Sequence, residues 1–243
     1  MGLGKSLFAA SALTIAALGV GVAAAQAGVV VKSSGPSAGQ YPVGKKLDDS
    51  ASITLKAGDS VTVLTSAGTR VISGAGTHRV GAAGANKRSA FAVLTRQRSG
   101  NRVRTGAVRA GASTAVARNP NLWNLDVSQG GRMCLTDSNL VNLWRPQTEG
   151  QATYIFRSAP SDFHVHVTFD DGVSQASLSS DALPLTATPA YSVSGPDGTS
   201  AQLVEFVILD SAPEDPESMA AVLAENGCTA QLDLLAERLM ASE

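Results

Sequence analysis

The sequence predicts a mainly β fold: two small antiparallel β units, each a meander or sandwich, joined by a basic linker and followed by a C-terminal α-helical hairpin. Three observations carry that expectation. Short β-branched runs recur between Gly-containing breaks over residues 28–81 and again over 121–210, the signature of strands joined by tight turns. Between them, residues 82–120 lose the alternation and are dominated by Gly, Ala, Ser, Thr, Asn and Arg. The last segment, 211–243, changes to a helical period.

Ahead of the first unit, Lys5 precedes an apolar, uncharged run from Leu7 to Ala25 ending in small residues, the pattern of a secretory leader. The frame Ala25-Gln26-Ala27 places the cut before Gly28, just ahead of a β-type run at Val29; Ala23-Ala24-Ala25, cutting before Gln26, is the alternative frame. The run is long enough for a retained anchor at roughly 20 residues per span, but its Ala/Gly composition and single flanking cation favour cleavage. With the leader as residues 1–27 and no later apolar segment of spanning length, the mature chain is expected in the periplasm or outside the cell. The two cysteines, Cys134 and Cys228, then have one possible pairing in an oxidising compartment.

In the first unit, Val29-Val30-Val31 opens the pattern. Ile53-Thr54-Leu55 leads through Ala57-Gly58-Asp59 into Val61-Thr62-Val63-Leu64, and Arg70-Val71-Ile72 and Thr77-His78-Arg79-Val80 follow around Gly74-Ala75-Gly76. The linker that comes next is expected to be flexible, with Ala90-Phe91-Ala92-Val93-Leu94 its one stretch fit for a helical turn. Net charge is −1, yet Arg70 to Arg118 holds ten Lys and Arg and no acid, whereas fourteen acids face the single Arg238 after Arg157. Such polarity bears on partners and on docking between the two parts.

The second unit begins at Leu122, with Trp123, Leu125 and Val127 alternating against Asp126. Gln129-Gly130-Gly131 turns the chain into Arg132-Met133-Cys134-Leu135, and Val141-Asn142-Leu143-Trp144 follows. Further strands are expected at 152–156, 163–169, 174–178, 191–194 and 202–209, the last two joined by the Pro196-Asp197-Gly198 turn. This spacing suggests an antiparallel sandwich. In the tail, Asp215 caps a helix with Pro216 in its first position and Met219, Val222 and Leu223 on one face, stopped by Asn226-Gly227. A second helix from Thr229 carries Leu232, Leu235 and Leu239. Cys228 sits between them, so a bond to Cys134 clamps the hairpin on the second β unit.

Candidate chemistry is sparse. On a strand, His164, His166, Thr168 and Asp170 share one face, and two imidazoles two residues apart suit zinc or copper; the competing reading is a polar strand face in water over a core of Phe163, Val165, Val167 and Phe169. Gly35-Pro36-Ser37-Ala38-Gly39 has the letters of a nucleophile elbow, but Gln40-Tyr41-Pro42 follows instead of a helix. Lys87, Arg88, Arg96, Arg98, Arg102, Arg104 and Arg109 form a candidate surface for an anionic envelope polymer, with Phe91 as its sole aromatic and no stacking platform for single-stranded nucleic acid. No cofactor motif is read.

Val29 to Ser37, Tyr41-Pro42-Val43-Gly44, Leu55 to Val61, Leu122 to Val127, Leu143-Trp144-Arg145-Pro146 and Gly227 to Leu235 resemble a group of uncharacterised exported proteins of alphaproteobacteria, which implies no activity. The Gly58-Asp59-Ser60-Val61 hairpin region is similar to the β domain of ferric-citrate-regulator (FecR-type) periplasmic sensors. The expected function is a non-enzymatic envelope module that binds or scaffolds another envelope protein. A metal-dependent or hydrolytic enzyme using His164 and His166, and an anionic-polymer binder using the Arg-rich linker, are the alternatives.

Overall fold

Val29, Val30 and Val31 are all buried, and consecutive buried residues on a strand mean that both of its faces are covered. They lie in β1 (Gln26–Ser34), where Val30 faces one apolar core and Val29 and Val31 face another. This computed structural model describes residues 26–48, 50–65, 68–81, 88–96, 117–158, 162–185, 190–198 and 201–241. The apolar run up to Ala25, expected as a leader, lies outside the described residues, as do Lys87, Arg98, Arg102, Arg104 and Arg109.

In the first unit β1 is joined by β2 (Lys46–Asp48), β3 (Ser52–Leu55), β4 (Ser60–Thr65), β5 (Gly68–Ser73) and β6 (Gly76–Arg79). A four-stranded antiparallel sheet runs β2-β1-β4-β5, and the β3-β6 ribbon forms a second, smaller sheet. Their shared core includes Val30, Ile53, Leu55, Val61, Val63 and Ile72. Strand β2 is absent from the sequence expectation, because three residues are too few to show an alternation. Strand β1 starts at Gln26, paired with Asp48, two residues before the favoured cut at Gly28.

The second unit contains β7 (Asn124–Asp126), β8 (Gly131–Leu135), β9 (Leu140–Trp144), β10 (Ala152–Ser158), β11 (His164–Phe169), β12 (Gln175–Ser179), β13 (Ala190–Ser194) and β14 (Ala201–Ile208). A five-stranded sheet, β11-β10-β13-β14-β8, and a three-stranded sheet, β12-β9-β7, enclose a core of residues such as Leu143, Phe156, Phe169, Tyr191, Val193 and Val204. Antiparallel pairing prevails, but β8 runs parallel to β14 and β7 parallel to β9. Alternation of side chains carries no strand direction, so these two pairs are not visible in the sequence. Arg145 is fully buried beside this core. Its Nε donates to the Val173 carbonyl at 2.8 Å and its Nη2 to those of Thr148, Gly150 and Asp170, so one side chain ties the β9–β10 and β11–β12 loops together.

The helices α1 (Arg88–Thr95), α2 (Pro216–Glu225) and α3 (Thr229–Met240) supply a third core. The Asp215 carboxylate accepts from the Ser218 amide at 2.8 Å, Pro216 opens α2, and Gly227 at φ 72° ends the turn after it. This core gathers Val29, Val31 and Leu64 from the first unit, Phe91 and Leu94 from α1, Cys134 and Leu209 from the second unit, and the hairpin leucines. The hairpin therefore does more than pack on the second β unit: α2 touches β1 and β4, while α3 touches β1 and β5 as well as β8. It is a central layer shared by both units.

In the linker, α1 covers the Ala90 to Leu94 stretch fit for a helical turn, and this described part is packed rather than flexible. Phe91 and Leu94, three residues apart on α1, are buried in the shared core. The end of α1 is bonded to the start of the second unit, with Leu122 N–H donating to Leu94 O at 3.0 Å and Trp123 Nε1 to Thr95 O at 2.8 Å. Cys134 and Cys228 form the expected disulfide, with Cα atoms 5.9 Å apart and both residues fully buried. Among the described residues no helix is long and apolar enough to cross a membrane.

Candidate functional site

Strands β7 and β8 belong to different sheets and lie at the edge of each. A short turn joins them, closed by Gln129 N–H on Asp126 O at 3.1 Å and held by the Asp126 carboxylate, which accepts from the Ser128 amide and hydroxyl and from Gln129 Nε2. The two edges diverge from this turn, and α3 crosses their open side. A cleft of about 480 Å³ results, within the size range of small-ligand sites.

Its apolar floor is made by Leu125, Met133 and Trp144, whose side chains also belong to buried strand positions. Arg118 and Asn119 also line it, their carbonyls held by Arg238 of α3, and α3 contributes Asp233 and Glu237. The leucine face of α3 points into the core, so helical period turns Asp233 and Glu237, four residues apart, towards the cleft. Burial raises the Asp233 carboxyl above its ordinary range; nearby Lys32 opposes the shift and Glu237 adds to it. The Arg132 guanidinium is engaged at the margin, donating to Glu205 at 3.1 and 3.3 Å and to the Asn226 carbonyl at 3.4 Å.

Gln231 fixes α3 in this position. Its side-chain oxygen accepts from Cys134 N–H at 2.7 Å, and its amide nitrogen donates to Cys134 O and Leu122 O, both at 2.9 Å. Both N–H donors and the oxygen of this buried amide are bonded to backbone. Asn119 does the same for β7, donating to Asn124 O at 2.8 Å, and Arg238 holds the Asn119 carbonyl at 2.6 Å.

The residues singled out in the sequence lie elsewhere. His164 and His166 sit 5.4 Å apart, ring centre to ring centre, on the exposed face of the edge strand β11. Asp170 follows the strand, its carbonyl bonded to Arg145 and its carboxylate accepting from Gln151. Among the described residues no group of three His, Cys, Asp or Glu converges as a metal site would require. Val167 and Phe169 are buried as expected, but Phe163 precedes the strand and is 38% exposed, outside the core assigned to it. Of the cationic candidates, Arg96 follows the end of α1 and is exposed, and Arg88 is described only by its backbone in that helix. Ser37 is buried, its amide donating to Asp59 at 2.9 Å, so the Gly35 to Gly39 segment is a structural loop.

Sequence reading missed the cleft because its walls are separated by about a hundred positions. The legible part was local: the leucine pattern of the last helix leaves Asp233 and Glu237 on its other face, and Gly130-Gly131 marks a sharp turn after a strand. Comparison with known proteins finds no family model, no curated protein and no solved structure that matches this chain.

Proposed function

We propose that the chain is an exported, non-enzymatic binding module of the cell envelope and that the cleft between β7, β8 and α3 is its binding site. The observation that carries this reading is the chemistry of the lining. It offers carboxylates, guanidinium groups, side-chain amides and an apolar floor, all suited to recognition, and contains no Ser, Thr, Cys, His, Lys or Tyr among the described residues. Catalysis by a hydroxyl, thiol, imidazole or amine nucleophile needs such a side chain beside a base, and of the three lining carboxylates that of Asp126 is held by the Ser128 and Gln129 side chains. The apolar leader and the disulfide support the compartment.

Backbone-amide chemical-shift mapping of the mature protein against envelope peptides, glycans and anionic lipids tests the reading. Shifts clustered at Asp126, Arg132, Trp144 and Glu237 without turnover are expected. Conversion of any of these ligands to product, or binding that leaves the cleft amides unmoved, contradicts it.

A further inference from the structure

Short sheets expose strand edges, whose unpaired N–H and C=O groups invite another strand. Side chains close several of these edges here. The Tyr41 hydroxyl accepts from Thr54 N–H at 2.8 Å and lies 3.3 Å from Thr54 O on β3, and Arg70 donates to the Arg79 and Val80 carbonyls at the end of β6. Asn119 closes β7 at Asn124, and Gln231 closes β8 at Cys134.

One stretch of β8 is left open. Cys134 directs its N–H and C=O away from β14, towards Gln231, while Leu135 O accepts from Leu209 N–H at 2.7 Å on the β14 side. By the two-residue period of a strand, Arg132 points its backbone the same way as Cys134, into the cleft, where its N–H and C=O have no hydrogen-bond partner among the described residues. Across the cleft, Asp126 stands on the open side of β7, since Val127 N–H is the group bonded to Trp144 O on β9. The exposed edge from Gly130 to Arg132 is about 10 Å long at roughly 3.3 Å per residue.

The charge beside this edge has a sign. Arg132 is engaged by Glu205, so Arg118 is the remaining cation of the lining against the carboxylates of Asp126, Asp233 and Glu237, with Lys32 outside the lining but near Asp233. Neither Asp233 nor Glu237 is in a salt bridge among the described residues.

We infer that the cleft takes an extended peptide segment with a basic side chain, added as a short strand on β8 at Arg132, its cation lying against Asp233 and Glu237. This rests on the cleft being the binding site and names the ligand class for it. Main-chain pairing supplies the affinity in such strand addition and the flanking side chains supply the selectivity. The three-residue edge, stopped by Gln231 at one end and the β7–β8 turn at the other, restricts the ligand to a short extended stretch.

The test uses the mature protein and acetylated, amidated pentapeptide libraries rich in Val, Thr, Ile and Tyr, with the central residue fixed as Lys, Arg or Glu, followed through the Arg132 amide resonance. Lys and Arg libraries are expected to bind about 10-fold tighter than the Glu library, the ratio given by a single favourable charge contact. N-methylation of the peptide backbone beside the central residue is expected to abolish binding. Asp233→Asn with Glu237→Gln is expected to remove the preference for cations while pairing at Arg132 persists. Equal binding of Lys and Glu libraries, or indifference to N-methylation, overturns the inference. If non-peptide fragments move the cleft amides and no peptide library does, the peptide inference falls and the cleft reading stands; if neither moves them, both fall.

Discussion

The side-chain amide of Gln231 pairs with the backbone of Cys134 as a neighbouring strand would, accepting from its N–H at 2.7 Å and donating to its C=O at 2.9 Å. The same residue is bonded through sulfur to Cys228, three positions before Gln231. Strand β8 is thereby held to the first turn of α3 by one covalent and one polar tie.

Replacing Gln231 with Leu removes the polar tie and strands three buried backbone groups, on Cys134 and Leu122. A loss of about 2–4 kcal/mol is expected from leaving buried donors and acceptors unmet, read as a lower urea midpoint with the disulfide intact.

Removing the covalent tie with Cys134→Ser and Cys228→Ser opens a link across 94 positions. A cost of about 2–5 kcal/mol is expected, and amide exchange is expected to rise first in α2 and α3. Because both residues are fully buried, thiol labelling of the folded wild-type protein in mild reductant is expected to be slow and to accelerate only when denaturant opens the shared core.

The helical hairpin was legible because Leu232, Leu235 and Leu239 repeat at helical spacing and Asp215, Pro216 and Gly227 are end signals with local causes. Many strands were legible for a related reason, being short runs rich in β-branched residues beside turn-forming glycines, as at Val61 to Leu64 after Gly58. What covers a strand is not local. Val29-Val30-Val31 announces burial on two faces, yet nothing in those letters says that the C-terminal hairpin lies on one of them. Arg145 is a second case. Composition places arginine at the surface, and only the convergence of four loop carbonyls explains its burial.

Arg145→Lys tests that explanation. A lysine ammonium keeps the charge but cannot span the planar fork of acceptors, so a loss of about 2–4 kcal/mol is expected from unmet carbonyls and misplaced charge. The amides of Gly150, Gly172 and Val173 are expected to exchange faster, with α3 unchanged.

Two carboxyls give stability opposite dependences on pH. The Ser37 hydroxyl and amide, with the Lys56 amide, hold Asp59 below its ordinary value against the opposing effect of burial. Its contribution is present above the unfolded value of about 3.9 and is lost as pH falls through the lower folded value. Asp233 is raised by burial, so its contribution is present below the unfolded value and lost as pH rises through the folded one. Asp59→Asn is expected to lower stability at pH 7 and to flatten its fall in acid. Asp233→Asn is expected to raise stability at pH 7 and to leave it little changed at pH 3; urea midpoints at the two pH values read both.

Residue-resolved amide hydrogen exchange from Gly131 to Leu135 in the unliganded protein tests the open edge most directly. Met133 and Leu135 are bonded towards β14 and Cys134 towards Gln231, so all three are expected to be protected, with Arg132 exchanging about 100-fold faster or more, as an amide outside the cooperative hydrogen-bond network does. Protection of Arg132 equal to that of its neighbours would mean the edge is already closed and would contradict the cleft as a strand-accepting site.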